Sequence, residues 1–400
     1  MHPGGSAITT MRKILAIIIV CSLIAGSGWG IGSWTWPGQK PAFDQKPLIQ
    51  IALLLDTSDN MSSLIEQTQS QLWQIVNELA SYRQYGQTPQ LQVALYEFGK
   101  SRIPASQGHL QMTLPFTGDL DAVSEQLFNL TAQGGPKYCG KAIQTAVDSL
   151  FWSGAQDDIK VIFIIGCEPF NQGPVEYRRA CEAAVAQGIV VNTIYCGDHQ
   201  VGIANEWQDA ADLTGGMYLS IDQDQTEVYI EAPQDKRIAE LAFNLNDTYI
   251  PFGPQGSVGL DNQNAQDQNA LDAGEAVILR RALLKSSLLY LNPDWDLVDA
   301  VKEKIIRLEN IEKADLPPKL QKMTLQQQQA YVEALSRQRS AIRRQIQQLS
   351  LQRIKYVDPQ GQNPDPAPKN SLAEALIEMT RNLALKKSFI LEQTPQAPGS

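Results

Sequence analysis

Leu48-Ile49-Gln50-Ile51-Ala52-Leu53-Leu54-Leu55-Asp56-Thr57-Ser58-Asp59-Asn60-Met61-Ser62 is the stretch from which the fold is read. Leu48 to Leu55 is apolar at nearly every position, the pattern of a strand buried on both faces, as in parallel sheets. It stops at a carboxylate. From Ser62 to Tyr82 the apolar residues Leu64, Ile65, Leu72, Ile75, Val76 and Leu79 recur at helical spacing. A buried strand followed at once by an amphipathic helix is the opening unit of an α/β fold.

The alternation continues along the chain. Strands are predicted at Leu91 to Phe98, Leu110 to Leu114, Lys160 to Ile165, Ile189 to Tyr195 and Met217 to Ile221. Helices are predicted after Asp119, over 137–151, over 174–187 ending at Gly188, and over 203–213. The expected class is a doubly wound, mainly parallel sheet with helices on both faces, followed by a helical C-terminal region. Right-handed crossovers place the β-to-α loops along one edge, where such folds bind ligands.

The expected division is an export or membrane-anchor segment at 1–32, a linker at 33–47 and the α/β domain at 48–248. A flexible linker at 249–275, rich in Gly, Asn, Gln and Asp, then leads to helices within 276–390 and a disordered tail at 391–400. Met11-Arg12-Lys13 before the apolar run Ile14 to Ala25 has the layout of a secretory signal, so the chain is expected to be exported, periplasmic or held at the cytoplasmic membrane. At 43% apolar and 19% charged the chain can bury a core, and its net charge of −10 argues against nucleic acid as a partner.

The end of the first strand carries the candidate chemistry. Asp56, Ser58 and Asn60 place three oxygens at two-residue spacing just before a helix, a set that suits a hard divalent ion such as Mg²⁺. The alternative is that Asp56 and Ser58 only cap the helix.

Asp56-x-Ser58-x-Asn60, between an apolar strand and an amphipathic helix, resembles the first motif of von Willebrand factor A domains. The resemblance spans about residues 48–222. The segments Tyr96-Glu97-Phe98, Gly134 to Gly140, Glu168 to Pro174 and Asn192 to Gly197 are similar to those of a bacterial set of such proteins with a signal and a C-terminal helical region. The resemblance implies partner binding at the sheet-top loops and a metal-ion-dependent adhesion site, with Asp56, Ser58, Asn60 and Glu168 as candidate ligands and Asp59, Tyr138 and Glu168 on the partner-binding loops.

Two departures stand out. The family's Gly-Gly-Thr is here Gly134-Gly135-Pro136, and proline has no side-chain oxygen. In place of its Thr-Asp-Gly stands Ile165-Gly166-Cys167-Glu168, with the acid two positions on. Cys139, Cys167 and Cys196 are expected near the same edge. They are either small buried thiols or include a disulfide, for which Cys139 with Cys196 is the candidate; Cys181 reads as core.

No catalytic constellation appears. The histidines are His2, His109 and His199, and there is no nucleophile elbow, zinc-protease motif or phosphate-binding loop. Between Gln321 and Tyr356 the bases Lys322, Arg337, Arg339, Arg343, Arg344, Arg353 and Lys355 face a single acid, Glu333. That arm is a solvated face, a site for an acidic partner or anionic lipid, or a hairpin packed on acids of the same or another chain. The leading expectation is an exported protein-binding domain that is not an enzyme. The rivals are an assembly protein acting through the basic helices without metal and, behind it, an enzyme using the cysteine-lined edge.

Overall fold

The computed structural model describes residues 46–221, 229–357 and 371–391. The expected export segment, the linker up to residue 45 and the tail beyond residue 391 lie outside the described residues. The strands are β1 (Leu48–Asp56), β2 (Tyr82–Gln84), β3 (Gln90–Phe98), β4 (Leu110–Thr117), β5 (Ile159–Gly166), β6 (Val190–Cys196), β7 (Tyr218–Ile221) and β8 (Phe389–Leu391). The α/β part carries helices α1 (Ser62–Ala80), α2 (Leu120–Phe128), α3 (Cys139–Ser149), α4 (Tyr177–Ala186), α5 (His199–Ala204) and α6 (Trp207–Asp212). Beyond it lie α7 (Asp235–Asn246), α8 (Gly256–Ala273), α9 (Glu275–Ser286), α10 (Leu297–Lys302), α11 (Pro318–Gln321), α12 (Leu325–Val357) and α13 (Leu372–Lys386).

The large sheet has the order β4-β3-β1-β5-β6-β7 and is parallel except for β4, which runs antiparallel to β3 at the edge. The apolar run of β1 is explained by its place: it pairs with β3 on one side and β5 on the other. Ile49, Ile51, Leu53 and Leu55 enter the core on one face, while Ala52 and Leu54 enter the core on the other. The chain leaves β1 for β3 and later returns to β1's other side as β5. The strand order therefore reverses at the carboxyl end of β1, where Asp56 sits, and such a reversal opens a crevice suited to a ligand.

The C-terminal region departs from expectation. The stretch expected as a flexible linker at 249–275 contains α8, an 18-residue helix. Two of its polar residues, Gln263 and Asp267, bond inside the protein. Gln263 Nε2 donates to Tyr290, and Asp267 accepts from Arg281 (2.8 Å) and Lys285 (2.6 Å). Within the region expected to be helical, α10 ends at Lys302, and Lys304 takes a positive φ of 59°.

The basic arm is largely turned inward. Arg339 Nη1 pairs with Asp296 at 2.7 Å and Asp299 at 2.8 Å, and Arg353 Nε pairs with Asp235 at 2.8 Å. Arg343 donates to Tyr290 O at 3.0 Å. Lys322, Arg337, Arg344 and Lys355 stay exposed. Of the sequence alternatives, packing on acids of the same chain holds for Arg339 and Arg353.

The chain finally returns to its beginning. α13 packs on α1, and β8 pairs antiparallel with β2 in a small second sheet that the sequence did not announce. The described residues accordingly fall in one compact unit, not in an α/β domain with a tethered helical appendage.

Candidate functional site

Asp56 ends β1 and is 1% exposed. Its Oδ1 accepts the Ser58 backbone N–H at 2.9 Å, and its Oδ2 is buried with no hydrogen-bond partner. Burial pushes its carboxyl up to about 6, against the Ser58 hydrogen bonds and the Lys137 charge, which favour the carboxylate; Glu168 opposes it. Close neighbours hold it in place. A Cβ on Gly166 would lie 3.2 Å from Asp56 Cβ, and one on Gly99 would lie 2.8 Å from Asp56 Oδ1. Gly99 also has φ +87°, so glycine is required there twice over.

The loops are tied to one another. Gly134 N–H donates to Asp59 Oδ1 at 2.5 Å, and Ser101 N–H donates to Gly134 O at 3.0 Å. Gln133 N–H donates to Thr57 O at 2.8 Å. A Cβ on Gly135 would come within 2.4 Å of Ser101 N and 2.6 Å of the Lys100 carbonyl carbon, both backbone atoms. Gly135→Ala is therefore expected to cost about 1–3 kcal/mol, since backbone cannot yield as a side chain does. Thermal denaturation beside Gly154→Ala, whose Cβ would meet nothing within 4 Å, checks this.

Tyr138 is half-buried. Its ring stands edge-on to His109 at 5.6 Å, and a Cβ on Gly173 would strike it at 2.5 Å. Glu168 follows β5, its backbone carbonyl fixed by Trp207 Nε1 at 2.8 Å. Its carboxylate, 38% exposed, pairs with Lys137 Nζ at 3.4 Å.

Of the sequence-derived candidates, Asp56, Ser58, Asp59, Tyr138 and Glu168 lie on loops of this one edge; the side chain of Asn60 lies outside the described residues. Asp59 is exposed but not free, since it anchors Gly134. The expected Cys139–Cys196 disulfide is not formed, and Cys139, Cys167, Cys181 and Cys196 are free thiols. Cys139 packs in the core on one face of the sheet and Cys196 in the core on the other, so the sheet separates them. Burial holds both thiols well above their usual range and pushes Cys167 up to about 11.

Lys137 is a member of the site that the family's motif does not assign. Its signal was its position, directly after the proline that replaces the family's threonine.

Among the described side chains, which do not include that of Asn60, the donor set does not complete a divalent-ion site. Asp56 and Ser58 offer oxygens, Pro136 offers none, and Glu168 is engaged by Lys137. Among the described residues no three His, Cys, Asp or Glu side chains converge to hold a metal ion.

Residues 50–209 match the family model of the von Willebrand factor type A domain. Among solved structures, the chain is similar to the conserved hypothetical protein BatB from Bacteroides thetaiotaomicron, with 18% identity over 44% of this chain and 90% of that one, at TM-score 0.34. An aerotolerance-related membrane protein from Bacteroides fragilis aligns at 18% identity over 44% and 92%, at TM-score 0.31. Proximal thread matrix protein 1 from the mussel byssus, with a zinc-occupied MIDAS motif, aligns at 12% identity over 45% and 43%, at TM-score 0.33. No curated protein matches the chain. With the motif at Asp56, the strand order and the family match in agreement, the α/β part of this chain is a von Willebrand factor type A domain, matched over residues 50–209.

Proposed function

We propose that this chain is an exported binding protein that recognises a protein partner through the loops at the carboxyl edge of its sheet. One observation carries the reading: the loops after β1, β3, α2 and β5 are locked to one another by Asp59–Gly134, Ser101–Gly134 and Lys137–Glu168. A face already fixed before binding loses little conformational freedom on association. Type A domains are protein-interaction folds, which supports the same face. Export rests on the N-terminal signal pattern; among the described residues no helix is long and apolar enough to cross a membrane.

An enzymatic role has little to work with. The thiols at the edge are held protonated by burial, and thiolate is the reactive form. The rival assembly role of the basic helices is weakened because Arg339 and Arg353 are consumed by internal ion pairs.

The test is in-cell photo-crosslinking of the full chain, with the reactive side chain at Tyr138 or, for comparison, at Arg344 on the exposed face of α12. A discrete adduct from position 138, lost in an Asp59→Arg, Glu168→Arg double variant with wild-type melting, is the expected outcome. An adduct from position 344 alone would move the function to the helical region.

A further inference from the structure

A carboxylate buried like Asp56, with one oxygen unpartnered, calls for a positive charge. Among the described residues the oxygen set is incomplete, which argues against a divalent ion as that charge. The loop that fails to supply a threonine oxygen supplies a cation instead. Lys137 Cγ lies 3.4 Å from the point a Gly99 Cβ would occupy, and that same point is 2.8 Å from Asp56 Oδ1 and 3.6 Å from Ser58 Cβ. The lysine stem therefore passes close to the Asp56–Ser58 turn, while Asp56 Oδ2 keeps no hydrogen-bond partner. Its ammonium is 3.4 Å from Glu168 Oε1, and its side chain is only 19% exposed.

We propose that Lys137 is the resident cation of this site, its ammonium tethered to Glu168 and its stem passing the Asp56–Ser58 turn, in the loop cluster where other type A domains hold a divalent metal. The proposal rests on the protein-binding reading above and deepens it by naming the partner's chemistry: an acidic side chain that displaces Glu168 from Lys137. An ammonium has a single charge and three donors, so it captures a carboxylate through hydrogen bonds rather than coordination. Binding of this kind is insensitive to chelators and weakens as salt rises.

The cation can be identified without the partner. Full-length protein is melted in EDTA, in Mg²⁺ and in Mn²⁺, each ion at about 1 mM, and Mn²⁺ binding is followed directly by its electron paramagnetic resonance signal. The wild-type chain should melt at one temperature in all three and leave the Mn²⁺ signal unchanged. Lys137→Met, which keeps the stem and removes the charge, should acquire a Mn²⁺-induced rise of about 2–5 °C, because Asp56 and Glu168 are then open to an ion. Lys137→Arg, which retains a cation, should stay unresponsive.

A wild-type chain that binds Mn²⁺ and loses that binding in Asp56→Asn would overturn the assignment. So would a folded Lys137→Met chain that ignores both ions. If Lys137→Met does not fold, the wild-type Mn²⁺ signal still decides. None of these readings involves a partner, so loss of the crosslink at Tyr138 would sink the binding function while leaving the cation assignment standing.

Discussion

Replacing Arg281 with methionine is expected to destabilise the chain by about 3–5 kcal/mol, the range for breaking a buried ion pair from one side. Arg281 is 2% exposed. Its guanidinium is 2.5 Å from Asp121 of α2 and 2.8 Å from Asp267 of α8, and it lies against the Trp73 ring of α1 and the Tyr290 ring. One side chain thus joins two helices of the type A domain to the helical region. Without it, Asp121, 2% exposed, keeps only the Tyr290 hydroxyl at 2.5 Å. Methionine fills much of the volume, so the loss reports charge rather than a cavity.

Urea denaturation measures the effect, with Arg337→Ala as the comparison. Arg337 is 70% exposed and pairs only with Glu333 one helical turn away, so its loss should fall within about 0.5 kcal/mol. Equal, small effects at both positions would mean that the helical region is not tied to the domain through this cluster.

The same cluster sets an acid limit. Burial raises the Asp267 carboxyl, but Lys285 and Arg281 outweigh it and leave it at about 2, below its ordinary 3.8. A carboxylate whose pKa is depressed by folding contributes stability that is complete above the unfolded value. That contribution is lost as pH falls from about 4 through about 2. Asp267→Asn should flatten this limb of a stability-against-pH curve.

The α/β part was legible because its physics is local. Leu48 to Leu55 must be buried on both faces, and Asp56 after it breaks an apolar run at the one place where strand order reverses. The helical region was less legible because its polar residues partner over long sequence distances. Gln263, Gln266 and Asp267 read as linker by composition, yet their neighbours include Tyr290, Arg281 and Lys285, which no window around residue 265 contains. The choice between buried thiols and a disulfide stayed open in the sequence for a related reason. Topology brings Cys139 and Cys196 to one edge, but only side-chain parity, alternating along β6, shows that they leave opposite faces. At Lys137 the family's pattern directs attention to the missing threonine oxygen of Pro136 and not to the charge beside it.

A chain ended at residue 370 is expected not to reach a soluble folded state. The segment that this removes buries Leu372, Leu376, Met379, Leu383 and Phe389 against the α1 side of the sheet, each at 5% exposure or less. At about 1.5–3 kcal/mol per buried side chain of this size, their loss approaches the whole stability of an ordinary domain, about 5–15 kcal/mol. The cut also strips hydrogen bonds from α1: Ala373 N–H to Gln71 Oε1 at 2.8 Å, and Arg381 to Glu78 Oε1 at 2.7 Å. It leaves Tyr82–Gln84 without its partner strand. Supplying residues 371–391 as a separate co-expressed peptide should restore soluble protein, because the missing contacts are made by packing rather than by chain connection. A chain ended at 370 that stays soluble and melts like the full chain would show that α1 does not need this cover. The type A domain would then stand alone, and the C-terminal helices would be an appendage after all.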